Sequence, residues 1–221
     1  MAYTVQALCQ FSVCTARHVH DCFADFVAKN LSVDVSVPSV PGYTTLMSVF
    51  GWIIIHQNVD SNFNWYRLWA DYKAGFGSID ADFWLGLEKM HLLTSSQAYR
   101  LRVEVQEETT GDWYSAEYWT FTIGDETNEW YRIHVDGYSG DAGDRMRVCQ
   151  QTRWSMNGMN FTTRDRDNDN YAAGNCARFS VGAWWFNSCN CVCLTCRNIF
   201  HGWSPVLGAS LNVGRSCQVP V

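Results

Sequence analysis

In the stretch YRLRVEVQE, the apolar residues Tyr99, Leu101, Val103 and Val105 alternate with Arg100, Arg102 and Glu104. A period of two cannot give a helix one apolar stripe, so the stretch reads as a strand with one core-facing and one charged side. The turn TTGD follows at once and WYSAEYWTFTIG leads back, which makes an antiparallel hairpin. YRIHVDGYSG, from Tyr131, is a further alternating strand, and GWIIIHQNVD, from Gly51, reads as a buried one. Two helices are expected between these strands. In NFNWYRLWADYKAGFG, Trp65, Trp69 and Tyr72 have helical spacing, with Gly75 and Gly77 as a stop. DADFWLGLEKMHLL would begin a second helix on an aspartate, at the positive end of the helix dipole. Short helices interrupting hairpins, with no internal repeat, predict an α+β fold on a mostly antiparallel sheet. Residues 1 to 50 are poorly patterned.

Composition removes several functions. The chain has 221 residues, enough for one large domain, with 22 acidic against 16 basic residues and no Lys/Arg cluster. Nucleic acid is thereby excluded as a partner, because phosphate neutralisation needs a basic stripe. The strongest apolar run, SVFGWIII, is far shorter than the roughly 20 residues that span a bilayer, so no membrane span is expected. Ten cysteines point to an oxidising compartment and a secreted, extracellular protein, although the start MAYTVQALCQFSVC has no clear signal peptide. Asn30 and Asn160 head glycosylation sequons.

The chemistry concentrates late in the chain. FTTRDRDNDNYAAGNC sets Asp165, Asp167 and Asp169 at every second position. Carboxylates this close repel unless a cation lies between them, and calcium is satisfied by such hard oxygens plus downstream carbonyls. Asp167 and Asp169 form the best pair. An EF-hand is rejected, because counting from Asp165 puts Asn170 at the loop glycine and Cys176 at the bidentate glutamate. The bland alternative is a solvated acidic turn. Next, Cys176 and Cys189 bracket NCARFSVGAWWFNSC; a bridge between them would be worth about 3 kcal/mol by loop-closure entropy, and two free buried thiols are the other reading. Last, Cys189, Cys191, Cys193 and Cys196 stand so close that a thiolate metal or redox cluster competes with disulfides, although the spacing is not that of a zinc ribbon. Cys191, Cys193 and Cys196 are expected to be strained, free or heterogeneous. The six histidines, His134 among them, fall in no catalytic motif, and no enzyme is expected.

Several of these stretches, in order, resemble the fibrinogen C-terminal domain family of fibrinogen chains, ficolins, tachylectins and tenascins. They are NWYRLWADYKAGFGSIDADFWLGLEKMHLLT, YRLRVEVQE, YSGDAGD, NGMNFTTRDRDNDN and NCARFSVGAWWFNSC. The resemblance implies an α+β globe: a central, mostly antiparallel sheet, short helices, and a loop-rich C-terminal subdomain that binds calcium. It implies a domain over residues 22 to 189, with a non-family segment at 1 to 21 and a divergent Cys-rich tail at 190 to 221. It puts calcium on Asp167 and Asp169, with carbonyl ligands near Tyr171 and Ala173. It pairs Cys176 with Cys189, and makes the Asn175–Cys176 peptide a cis bond whose amide meets the ligand. Asn175, Cys176, Trp184 and Trp185 would line the pocket.

The implied function is a secreted, calcium-stabilised, lectin-like recognition or adhesion module, of the kind used in innate immunity, that binds carbohydrate, acetylated surface groups or an extracellular protein. A longer form would be the one to oligomerise. Departures from the family weaken acetyl binding, since Ser180 and Asn190 stand where pocket residues are usual, and no partner for Cys22 precedes the Gly-Trp strand. The alternatives are the Cys189 to Cys196 metal-thiolate or redox centre and a degenerate member without a ligand.

Overall fold

The computed structural model describes residues 3–8, 48–49, 52–59, 62–106, 110–149 and 151–197. The strands are β1 (Tyr3–Leu8), β2 (Ser48–Val49), β3 (Trp52–Asn58), β4 (Phe76–Gly77), β5 (Phe83–Trp84), β6 (Tyr99–Gln106), β7 (Trp113–Ile123) and β8 (Ile133–Gly140). They form one sheet in the order β4-β5-β3-β1-β6-β7-β8, with β2 paired to β3 and every pairing antiparallel. The helices are α1 (Trp69–Ala74), α2 (Leu87–Ser96), α3 (Glu126–Glu129) and α4 (Cys176–Ser180), and Thr152–Trp154 adds a 3-10 turn.

The hairpin is where alternation places it. β6 and β7 pair through Val103 and Ala116, and Tyr99, Leu101, Val103 and Val105 are all buried. The charged face departs from expectation, because Arg102 and Glu104 are buried as well. Arg102 is neutralised from both sides, by Glu104 at 2.9 Å and by Glu117 on the facing strand. A charged pair tolerates burial when each partner answers the other.

Both expected helices are shorter than their patterns. α1 begins only at Trp69, while Trp65 precedes it and is still buried. Gly75 closes α1 at φ 96°, where a Cβ would lie 2.3 Å from the Leu85 carbonyl oxygen. That close approach lets Phe76–Gly77 pair with Phe83–Trp84, so FW becomes a strand and the second helix starts at Leu87. Asp82 does not begin a helix; its Oδ1 accepts from the Val59 amide at 2.9 Å.

Two segments that the sequence leaves unpatterned complete the globe. Tyr3–Leu8 holds the middle place in the sheet, paired with β3 on one side and β6 on the other. Val192, Cys193, Leu194, Thr195 and Cys196 are buried in the core. Asn58 Nδ2 donates to the Leu194 carbonyl at 3.0 Å, and Thr195 donates its hydroxyl to the Ala183 carbonyl. Beside this junction His56, on β3, is 1% exposed and lies edge-on to Trp65 and Trp84, with Nδ1 at 3.1 Å from the Phe83 carbonyl. Burial in this aromatic box drives its pKa down to about 3, so the imidazole is neutral.

Candidate functional site

The acidic loop hangs from the core by main-chain bonds. Thr162 and Trp184 exchange amide bonds at 2.9 and 3.2 Å, and Thr163 and Arg166 close a tight turn the same way. Asn168 ties the loop inward, its side chain donating to the Phe161 carbonyl at 2.7 Å. Asn170 pairs with Asn187 through both its amide and its side chain, each at 3.0 Å.

The three aspartates have different roles in this frame. Asp165 is structural: its Oδ1 accepts from the Trp69 amide at 3.0 Å and from the Thr163 hydroxyl at 2.7 Å. Asp167 is exposed, and its Oδ1 lies 3.4 Å from the Asp169 amide. Asp169 accepts the Tyr171 amide on Oδ1 and the Cys176 amide on Oδ2, both at 2.8 Å. Burial, joined by the neighbouring Asp167 charge, raises its pKa to about 6 despite these two bonds. Among the described residues no lysine or arginine pairs with either carboxylate. The donor set thus suits a hard cation: two adjacent carboxylates, one partly desolvated, without a counter-charge. No group of three His, Cys, Asp or Glu side chains gathers among the described residues, so a cation here would take its other ligands from main-chain carbonyls and water. Of the expected carbonyls, that of Tyr171 accepts the Gly174 amide at 3.3 Å, while Ala173 is exposed.

The ligand-lining residues have other duties. Asn175 caps α4, its Oδ1 accepting the Arg178 amide at 3.1 Å. The cis peptide lies at Ser188–Cys189 and not at Asn175–Cys176. Asn175 and Cys176 instead open α4, and the Cys176 amide, expected to meet a ligand, turns inward to Asp169. Trp184 and Trp185 are core residues, 2% and 3% exposed, with Trp185 Nε1 bonded to the Tyr131 carbonyl at 2.7 Å. Ser180 is buried and Asn190 half-buried. Asn160 is half-buried and accepts from Arg132; Asn30 and Cys22 lie outside the described residues.

Cys176 and Cys189 are joined, with Cα atoms 5.6 Å apart. Cys191, Cys193 and Cys196, expected to be strained, free or heterogeneous, are not free. Cys191 pairs with Cys149 and Cys193 with Cys196, at Cα separations of 6.0 and 5.5 Å. A turn at Leu194–Thr195 folds the second pair together, and Cys149, distant in sequence, takes the cysteine that its neighbours leave over. No thiolate cluster is present among the described residues. The partner Cys149 carried no motif in the sequence; only the even count of cysteines hinted at it.

With this geometry in place, a family model described as "Fibrinogen beta and gamma chains, C-terminal globular domain" matches residues 44–206. The chain belongs to the fibrinogen C-terminal domain family. The match continues past Cys189 into the buried Val192–Cys196 segment. Among curated relatives, angiopoietin-related protein 1 of Bos taurus is 44% identical over 138 residues, 62% of this chain and 26% of the relative. Fibroleukin of Homo sapiens is 40% identical over 139 residues, 63% of this chain and 31% of the relative. Fibrinogen-like protein A of Apostichopus parvimensis is 38% identical over 173 residues, 77% and 58% of the two chains. The chain therefore spans about a quarter of the angiopoietin-related protein it matches. Among solved structures, the fibrinogen-like globe domain of human ANGPTL2 aligns at TM-score 0.62 and 32% identity over 77% of this chain and 78% of that one. Lamprey fibrin D-dimer aligns at TM-score 0.60 and 36% identity over 65% and 48%. The family is non-enzymatic, and no helix among the described residues is long and apolar enough to cross a membrane.

Proposed function

We propose that this domain is an extracellular, calcium-stabilised recognition module. The observation that carries the reading is the Asp167–Asp169 pair: two uncompensated carboxylates, one fixed by the Cys176 and Tyr171 amides, in a loop stapled by Cys176–Cys189. Bound calcium would supply the missing counter-charge and tie the loop to α4. Three disulfides among the described residues support an oxidising compartment, hence a secreted protein.

The ligand in this reading is an extracellular protein or a glycan, with acetyl groups weakly bound. An acetyl cup needs an apolar wall and a free donor, but Trp184 and Trp185 are committed to the core and the Cys176 amide to Asp169. Lamprey fibrin D-dimer was solved with the peptide Gly-His-Arg-Pro-amide, which makes a short peptide the second probe to try. Calorimetric titration of the chelated protein with calcium tests the reading. Saturable binding that Asp167→Asn abolishes is the expected result; no heat, and no rise in melting temperature, would overturn it.

A further inference from the structure

The three residues of the sequon NFT, Asn160, Phe161 and Thr162, part company at the surface of the globe. Half-buried Asn160 stays outside, its Oδ1 accepting from Nε of exposed Arg132 at 3.2 Å. Its Nδ2, the atom that carries a glycan, is hydrogen-bonded to nothing among the described residues and is not one of the buried unpaired atoms. Arg132 thus holds the amide by its oxygen, an acceptor that glycosylation leaves in place. There is room beside it. The Phe161 amide donates to the carbonyl of exposed Trp130 at 3.0 Å, and a Cβ on Gly158 would meet no atom within 4 Å.

The other two residues turn inward. Phe161 is fully buried, its ring 5.2 Å from Tyr72 and 5.0 Å from Trp185. Thr162 is fully buried too; it exchanges main-chain bonds with Trp184, and its hydroxyl accepts the Asn168 amide at 3.1 Å. An oligosaccharyl transferase reads the asparagine together with the hydroxyl two residues on, and a glycan needs a surface position. The folded chain meets the second condition and fails the first: the nitrogen is presented, but the hydroxyl is locked away.

We propose that Asn160 carries an N-linked glycan, and that its transfer precedes the closing of Thr162 against Asn168 and Trp184. In that step Nδ2 bonds to the anomeric carbon of a polyisoprenyl-pyrophosphate-linked oligosaccharide. The bond from that carbon to the pyrophosphate oxygen breaks, polyisoprenyl pyrophosphate leaves, and the nitrogen gives up one proton, with no change of oxidation state. The proposal rests on the extracellular reading above, since the donor lipid belongs to the secretory pathway.

The test translates the whole chain behind a cleavable secretory leader into microsomes, as Asn30→Gln and as Asn30→Gln with Asn160→Gln. The first should keep one endoglycosidase-sensitive band shift and the second should lose it, with peptide mapping after amidase release marking position 160. Asn160→Gln should leave the melting temperature unaltered, because its side chain lies outside the core. For the order of events, aglycosylated chain folded with its disulfides meets purified transferase and donor lipid, beside the same chain reduced, alkylated and unfolded. Only the unfolded chain should be modified at Asn160. An unmodified peptide from the microsomes, or silence from the unfolded chain, overturns the site; equal modification of folded and unfolded chains overturns the order. The leader delivers the chain whatever its native compartment, and calcium titration decides the recognition reading separately.

Discussion

The Cys176 amide donates to Asp169 Oδ2 at 2.8 Å, so the first residue of α4 and the half-buried carboxylate of the acidic loop hold one another. Cys176 is also disulfide-bonded to Cys189, and through this residue the loop, the helix and the segment at Cys189 are joined.

The first prediction separates the two aspartates by sign. In chelator, Asp169→Asn should destabilise by about 1–3 kcal/mol, because one carboxylate oxygen becomes an NH2 facing an amide N–H. Asp167→Asn in chelator should be neutral or slightly stabilising, since it removes a like charge. With calcium at about 100 times its dissociation constant, the wild type gains about 2.7 kcal/mol and both variants lose that gain. Thermal melts of the three proteins with and without calcium check it; equal behaviour of the two variants in chelator defeats the geometry.

The disulfides should open in a set order. Cys149 and Cys191 are half-buried, whereas Cys176, Cys189, Cys193 and Cys196 are buried, so a mild thiol reductant should attack Cys149–Cys191 first. Differential alkylation with peptide mapping reads the order. Replacing that pair, 42 residues apart, by alanines should cost about 4 kcal/mol on the loop-entropy scale.

Acid should expose His56. The unfolded histidine takes a proton below pH 6.5, whereas the buried one does not until about 3. The unfolded state therefore binds more protons across that window, and stability falls as pH drops from 6.5 towards 3, by up to about 1.4 kcal/mol per pH unit. His56→Phe should flatten this slope. Comparing the slopes of variant and wild type cancels the opposite contribution of Asp169, whose raised pKa favours the fold as pH falls through 6. Identical slopes would show that His56 is hydrated.

Gly182→Ala should loosen the C-terminal segment. A Cβ there would stand 2.2 Å from the Thr195 carbonyl oxygen and 2.7 Å from the Cys196 Cα, both main-chain atoms with no room to yield. Overpacking of this kind costs about 1–3 kcal/mol, and hydrogen exchange should rise first at Arg197, whose amide bonds the Val181 carbonyl at 3.3 Å. A stable variant with unchanged exchange would contradict the packing.

What the sequence reveals follows from how local the signal is. The β6–β7 hairpin was legible because its partners are adjacent and its period is clean. The acidic pair was legible because charge crowding is itself local. β1 was not, since six residues with weak alternation join the sheet only through β3 and β6, each distant in sequence. The burial of Trp184 and Trp185 was not legible for the same reason: large rings beside a loop suit a pocket or a core equally well, and only spatial contacts such as Trp84 against Trp185 at 6.1 Å reveal their packing. Cys149 likewise meets Cys191 only in space.

The hydrogen bond from Asn58 to Leu194 spans 136 residues. At ribosomal speeds of roughly 5–20 residues per second, β3 emerges roughly 7 to 27 s before the segment that closes over it. During that interval the aromatic box around His56 is open, and the nascent sheet displays tryptophans that will later be hidden. A translational pause between these two points would prolong the interval in which that apolar surface is uncovered.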